Sequence, residues 1–338
     1  MRFTMIAQFV NIVAVVVGSV LVTSTVALAE AAKSVSEPVG SNLLETPVGL
    51  KNDVKFWERI FSEYTPEECV FHDEWNLDAV YYVAPVPRTA NSSGSHLLKR
   101  HLKSIRAALS NLALRGEPFS AFERGIVASI PERLRNRKFY TIAQGQVRCQ
   151  RGVEFQKSLN LSQQYIPMIK QTLREKGLPA DLAYLPHLES GFNRFATSRV
   201  GAKGLWQFMP STARAEGLVV KRNKDFRTDP VRSTDAATDH LASMFLRAKS
   251  WELAITAYNY GENGVQRAIQ KFGPDYMKIR TEHKTRMFGF AARNYYPSFL
   301  AVRNVAMRDE VRLATRDSRK SISRSGENTS ADDTVVTF

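Results

Sequence analysis

The sequence predicts a mainly α protein. From residue 152 to residue 307 apolar side chains recur at helical spacing rather than in alternation. Gly, Pro and Ser/Thr/Asp clusters punctuate these stretches where helices start and stop. No repeat of fixed period interrupts them. With 338 residues and 43% hydrophobic content the chain can bury a sizeable core.

The elements follow in order. Residues 1–29 read as a signal peptide. An apolar run from Met5 to Val22 follows Arg2, and Ala27 and Ala29 fit a small-x-small cleavage site before Glu30. An uncleaved anchor helix is the competing reading. Residues 30–52 are small and polar and read as a linker. Residues 53–150 read as a mostly helical accessory region. It opens on a helix whose Val54, Trp57, Ile60 and Phe61 share one face. Residues 76–87 suit a short strand or extended segment, and residues 96–114 a basic amphipathic helix whose Lys/Arg face reads as a solvated surface in preference to a membrane-binding one. His72, His96 and His101 form no spaced cluster, so the region packs on the rest of the chain or docks a partner.

Residues 151–311 read as one all-α domain. Two helical segments fill 152–177, closed by Gly177. Pro179 stands near a helix start. A capped helix carries Leu241, Met244, Phe245 and Ala248, and residues 251–272 give a short helix, a glycine turn and a second helix. Residues 312–338 are Ser/Thr/Asp/Arg-rich and read as a disordered tail.

Charge and cysteines add little. The net charge of +14 favours a polyanionic partner: nucleic acid, anionic membrane or acidic wall polymer. Cys69 and Cys149 can pair in an oxidising compartment or remain two buried thiols. No Cys/His cluster has zinc spacing, and neither a metal nor a cofactor is expected.

One stretch carries chemistry. "LPHLESGFNRFATSRVGAKGLWQFMPSTA" (185–213) holds a single carboxylate, Glu189. Leu182, Leu185 and Glu189 share a helix face that is otherwise apolar, and Ser190-Gly191 ends the helix. Desolvation and the negative end of the helix dipole both disfavour the ionised form. A carboxyl kept neutral near pH 7 can act as a general acid. A glutamate ending a helix in water is the commoner arrangement. Trp206, Gln207 and Phe208 offer an aromatic and an amide that suit a sugar, or an ordinary core.

The motifs tip this balance. Residues 189–193 (ESGFN) and 198–210 (SRVGAKGLWQFMP) resemble the first two motifs of the lytic murein transglycosylases, the goose-lysozyme-like glycoside hydrolase family 23. Residues 257–265 (AYNYGENGV) and 293–301 (RNYYPSFLA) resemble the third and fourth. Upstream stretches are similar to the membrane-bound transglycosylase D type, so the resemblance covers roughly residues 53–310. The fourth motif departs: Ala291-Ala292 stand where Glu-Thr is usual, and Tyr296 replaces a usual Val. No LysM-like repeat is evident.

The resemblance implies a lysozyme-like catalytic domain and a cleft for peptidoglycan glycan strands. It implies Glu189 as the sole catalytic acid/base. Ser198, Gln207 and Asn259 would hold the sugar, Tyr258 would bond or position the acid, Met209 would form cleft wall, and Tyr295 belongs to the fourth motif. The expected reaction cleaves the β-1,4 bond between N-acetylmuramic acid and N-acetylglucosamine and leaves 1,6-anhydromuramoyl ends. A muramidase that hydrolyses the same bond, or a non-catalytic wall-binding scaffold, are the alternatives. The expected location is periplasmic and wall-associated, with other wall enzymes as candidate partners, no nucleic acid, and membrane attachment only through an uncleaved signal.

Overall fold

The computed structural model describes residues 44–87 and 92–327. The signal peptide at 1–29 and most of the linker lie outside the described residues. The mainly α expectation holds: among the described residues thirteen α-helices accompany two small sheets.

Helix α1 (Lys51–Ser62) buries Val54, Phe56, Trp57, Ile60 and Phe61. It packs against the first half of α13 (Phe290–Glu327), where Tyr295, Tyr296, Phe299, Leu300 and Val302 are buried. Asp53 of α1 pairs with Arg280 at 2.5 Å, and Arg280 also donates to Asn294 Oδ1. Thus α1 belongs to the main core, not to the accessory region to which residues 53–62 were assigned. The linker expectation also fails at its end. The Leu44 amide donates to Asp181 Oδ2 at 2.7 Å, and Leu50 is fully buried. These leucines provide apolar anchors that overall polarity hid.

The chain also forms a sheet of order β2-β1-β3, antiparallel throughout. Its strands are β1 (Glu68–Asp73), β2 (Val80–Pro85) and β3 (Val147–Arg151). The region expected to be mostly helical is so, and its helices accompany this small sheet. Alternate β1 residues point to opposite faces. Val70 enters the main core. Cys69 and Phe71 enter a second core with Ile105, Leu109, Leu112, Ile126 and Tyr140. Those residues come from α2 (Ser92–Arg115), α3 (Ala121–Ser129) and α4 (Arg137–Ala143). Cys69 and Cys149 form a disulfide between neighbouring strands, with Cα atoms 5.6 Å apart. Helix α3 is closed by a reciprocal cap between Ser120 and Glu123.

The main core is assembled from α5 (Phe155–Ser162), α6 (Ile166–Glu175), α7 (Pro186–Glu189), α8 (Pro210–Ala215), α9 (Pro230–Ala248), α10 (Trp251–Tyr260), α11 (Glu262–Phe272) and α12 (Tyr276–Glu282). Helix α10 buries Leu253, Ala254, Ile255 and Ala257, apolar on several sides as a central helix must be. The two-residue strands β4 (Val220–Lys221) and β5 (Lys224–Asp225) make a hairpin.

The tail departs from expectation. Helix α13 continues past Arg312 to Glu327. An established helix needs no new nucleus, and residues 312–325 contain neither Gly nor Pro. Residues 328–338 lie outside the described residues.

Candidate active site

Glu189 is the last residue of α7, a single helical turn entered from a 3-10 turn at Ala180–Tyr184. Leu182, Leu185 and Leu188 anchor this stretch in the core. The chain then reverses sharply. Gly191 and Phe192 both adopt φ of 58°. Left-handed geometry is costly for a bulky residue and persists where packing over-determines it. Phe192 is 1% exposed, stacks on Tyr165 and meets the His187 ring edge-on. Ser190 Oγ donates to Leu205 O at 2.8 Å, which ties this turn to the glycine-rich loop beyond it.

The Glu189 carboxylate accepts a hydrogen bond from the Tyr295 hydroxyl. Glu189 is half-buried as a residue, but its carboxyl is enclosed. Desolvation pushes its pKa up to about 7, and the Tyr295 bond opposes the rise. Tyr295 is itself held well above an ordinary phenol by burial and then by the Glu189 charge, so it serves as a donor. Tyr258 differs from expectation. Its hydroxyl donates to Trp206 O at 2.8 Å, not to the acid. Burial, then the charges of Glu189 and Glu216, raise its pKa. Tyr258 thus braces the loop carrying Gln207, and Tyr295 holds the acid.

That loop is built around glycine. Gly204 has φ of 88°, and a Cβ there would lie 1.8 Å from Arg227 O. The Arg227 guanidinium donates to Gly201 O at 2.8 Å and Phe208 O at 3.0 Å, and pairs with Asp225 at 2.8 Å. The Arg227 bonds hold the Asp225 carboxyl down to about 2. Gln207, at φ of 49°, donates both amide hydrogens inward, to Gly204 O and Ala196 O. Its Oε1 remains the acceptor for a ligand. Ser198 Oγ accepts the Ala202 amide at 2.9 Å, which leaves its O–H as a donor.

Glu189, Ser198 and Gln207 line one cavity of about 250 Å3. Met209 and Asn259 are half-buried nearby in the chain but are not among its lining residues. Glu154, Lys157, Ser158 and Leu161 also line it, and sequence reasoning missed them. Helix α5 reads as an ordinary amphipathic helix, and only folding turns that face toward Glu189. Ser158 Oγ lies 2.6 Å from His187 Nδ1, and burial lowers the His187 pKa to about 3, so the ring is neutral. A larger cavity of about 900 Å3 along α1 and α13 shares the wall at Val153–Phe155 but does not contain Glu189. Among the described residues no three His, Cys, Asp or Glu side chains come together as metal ligands.

The carboxylates that folding could have brought to Glu189 are engaged elsewhere. Asp181 pairs with Arg303, Glu216 with His240, and Asp225 with Arg227, while Asp229 caps α9. Among the carboxylates lining the smaller cavity, the second is Glu154, an exposed residue.

Residues 166–277 match the family model described as the Transglycosylase SLT domain. Over 171 residues the chain is 34% identical to the membrane-bound lytic murein transglycosylase D of Escherichia coli strain K12, covering 47% of this chain and 36% of that protein. The same figures hold for the protein of that name from Escherichia coli O6:H1, strain CFT073. Over 119 residues it is 31% identical to the membrane-bound lytic murein transglycosylase C of Photorhabdus laumondii, covering 31% of this chain and 33% of that protein. The chain thus spans only 36% and 33% of the length of these curated relatives. Residues 166–277, which carry Glu189, Ser198, Gln207 and Tyr258, are thus similar to a transglycosylase SLT domain and, within the longer matched stretch, to membrane-bound lytic murein transglycosylase D.

Proposed function

We propose that this chain is a lytic transglycosylase of the cell envelope. It cleaves the β-1,4 bond between N-acetylmuramic acid and N-acetylglucosamine in peptidoglycan. The observation that carries this reading is a buried carboxyl poised near neutrality, Glu189, gripped by the Tyr295 hydroxyl on the wall of the cavity that Ser198 and Gln207 also line. The relatives' names supply the substrate class. The catalytic unit comprises residues 44–62 together with 152–311, because these share one core.

The steps balance with one acid/base. Protonated Glu189 gives its proton to the glycosidic oxygen, and the N-acetylglucosamine side leaves as an alcohol. The acetamido oxygen of the muramoyl residue bonds to C1 as that bond breaks, a substrate-assisted route that needs no second carboxylate. Ionised Glu189 then takes the proton of the C6 hydroxyl as O6 attacks C1 and displaces the acetamido oxygen. The product carries a 1,6-anhydro ring, and the glutamate is protonated again. Ser198 donates and Gln207 Oε1 accepts hydrogen bonds from the sugar in this scheme. Asn259 and Met209 contribute from farther along the cleft.

Mass spectrometry of products from purified glycan strands tests the reading. Fragments one water lighter than hydrolytic ones support it, and reducing ends contradict it. Strand binding without product supports a scaffold instead. The position of Glu154 favours a second reading, a muramidase in which it activates water. Glu154→Gln separates the two. The transglycosylase reading expects little change in rate, whereas loss of a general base costs on the order of 10²-fold or more.

Tyr295→Phe has a distinct signature. The lost bond is the one that favours the charged carboxyl, so the Glu189 pKa rises above about 7. The alkaline limb of the rate profile moves to higher pH. The rate at the optimum falls, on the order of tenfold to a hundredfold, because the carboxyl is no longer held in place. A pH–rate profile of the variant checks both effects.

A further inference from the structure

Helix α2 presents a face that the site does not use. Its 24 residues include no Asp or Glu. Lys99, Arg100, Lys103 and Arg106 are all exposed, and none forms an ion pair among the described residues. At 100° per residue these four and Leu114 lie within about 60° of one line down the helix, over about 22 Å. Ile105, Ala108, Leu109 and Leu112 occupy the opposite face and are buried. The cations therefore face straight outward. Residues 92–143 as a whole carry ten Lys and Arg against three Glu, a net +7 out of the chain's +14. Half of the excess charge thus sits on α2–α4 and their connections.

The stripe ends on an apolar knuckle. Leu114 is 75% exposed and Phe119, in the turn between α2 and α3, is 80% exposed. Phe122 follows and meets Tyr82 edge-on, both partly exposed. The Arg115 guanidinium lies 5.7 Å from the Phe119 ring centre, and Arg124 donates to Phe119 O. Isolated exposed apolar side chains are commonplace. Three within nine residues, flanked by arginines and continuous with a cation stripe, are the signature of an interfacial surface.

We infer that this face of α2 and the Leu114–Phe119–Phe122 knuckle dock on an anionic phospholipid surface. The cations meet lipid phosphates, and the knuckle enters the boundary between headgroups and acyl chains. A soluble polyanion such as wall polymer would engage the cations but leave the knuckle in water, so lipid accounts for both features. The face belongs to the second core, with its own disulfide at the root, and contributes no residue to the Glu189 cavity. Docking therefore leaves the site's residues untouched.

The test is co-sedimentation of the full chain with vesicles of phosphatidylcholine alone or mixed with phosphatidylglycerol. Any contribution of the apolar stretch at 5–22 is common to both vesicles, so the difference between the two lipids is the readout. The first variant combines Lys99→Gln, Arg100→Gln, Lys103→Gln and Arg106→Gln. It should lose at least about tenfold of the anionic preference, each cation being worth up to roughly fivefold near such a surface. The second, Leu114→Ser with Phe119→Ser, should weaken binding to the anionic vesicles with its salt dependence kept. Anionic preference unchanged in the first variant overturns the inference. Binding unchanged in the second overturns the assignment to lipid, as does loss of binding to isolated wall glycan with vesicle binding intact. Both variants should release products from soluble glycan strands at the wild-type rate, so this inference can fail without the enzymatic reading failing.

Discussion

Glu189→Gln is expected to lower glycan cleavage by on the order of 10²–10⁴-fold while making the protein more stable at neutral and alkaline pH. The amide keeps the shape of the side chain and removes the proton. Stability moves the other way because the folded state raises the Glu189 pKa from 4.5 to about 7. Below pH 4.5 the carboxyl is neutral folded or unfolded, and its burial costs nothing extra. As pH rises from 4.5 through about 7, the unfolded chain ionises first, and the wild-type loses stability over that window. The loss is about 2 kcal/mol once allowance is made for the open side of the half-buried residue. Glutamine carries no such loss. Thermal melts at pH 4 and pH 8 should therefore coincide for the two proteins at the lower pH and diverge by several degrees at the higher, with the variant above. An inactive variant that also melted lower at pH 8 would point to damage rather than to a missing acid.

Gly204→Ala is expected to cost more stability than any surface change, about 3 kcal/mol or more. Two effects combine. The residue holds φ of 88°, and the new methyl would lie 1.8 Å from the Arg227 carbonyl, a backbone atom that cannot swing aside. Relief requires moving the Arg227 segment, which the Asp225 pair and the bonds to Gly201 O and Phe208 O hold in place. Gly201 is the internal control. Its φ is 91°, but nothing stands within 4 Å of a Cβ there. Gly201→Ala should cost only the left-handed penalty, about 1–2 kcal/mol. The measurement is denaturant unfolding of both variants beside wild-type. Equal midpoints for the two would remove the steric part of the argument.

The site was partly legible. Glu189 stood out because a lone carboxylate on an apolar helix face lay inside recognisable motifs, and folding encloses its carboxyl. Ser198 and Gln207 fell on the same cavity wall. The division of labour between Tyr258 and Tyr295 was not legible. Tyr295 is buried and Tyr258 partly so, and which hydroxyl reaches the acid depends on how α10 and α13 cross. Lys157 and Ser158 were invisible for a related reason: helical periodicity marks a face as buried without saying what it faces.

The fold shows the same pattern. Helix α10 and its neighbours announced themselves by period. Strand β1, buried along both faces, showed no alternation, and β3 carries two arginines and a glutamine in five residues. Strand β1 pairs with β2 nearby, but β3 becomes a strand only through β1, far back in the chain, which no local window contains. The disulfide expresses the same fact, joining cysteines 80 positions apart.

The packing of α1 on α13 has a consequence in time. Asp53 meets Arg280 across 227 positions, Asn304 bonds Glu58 across 246, and Arg303 reaches Leu44 across 259. The first helix of the core thus has its apolar face fully covered only when almost the last one arrives, although Phe56 meets His72 and Phe61 meets Phe155 earlier. During synthesis, about two hundred residues must emerge while Trp57 and Ile60 wait without their partner surface. Pairings of such separation form slowly, since loop closure must precede any reward from contact. Until that last helix is made, the apolar face of α1 is left open to wrong association.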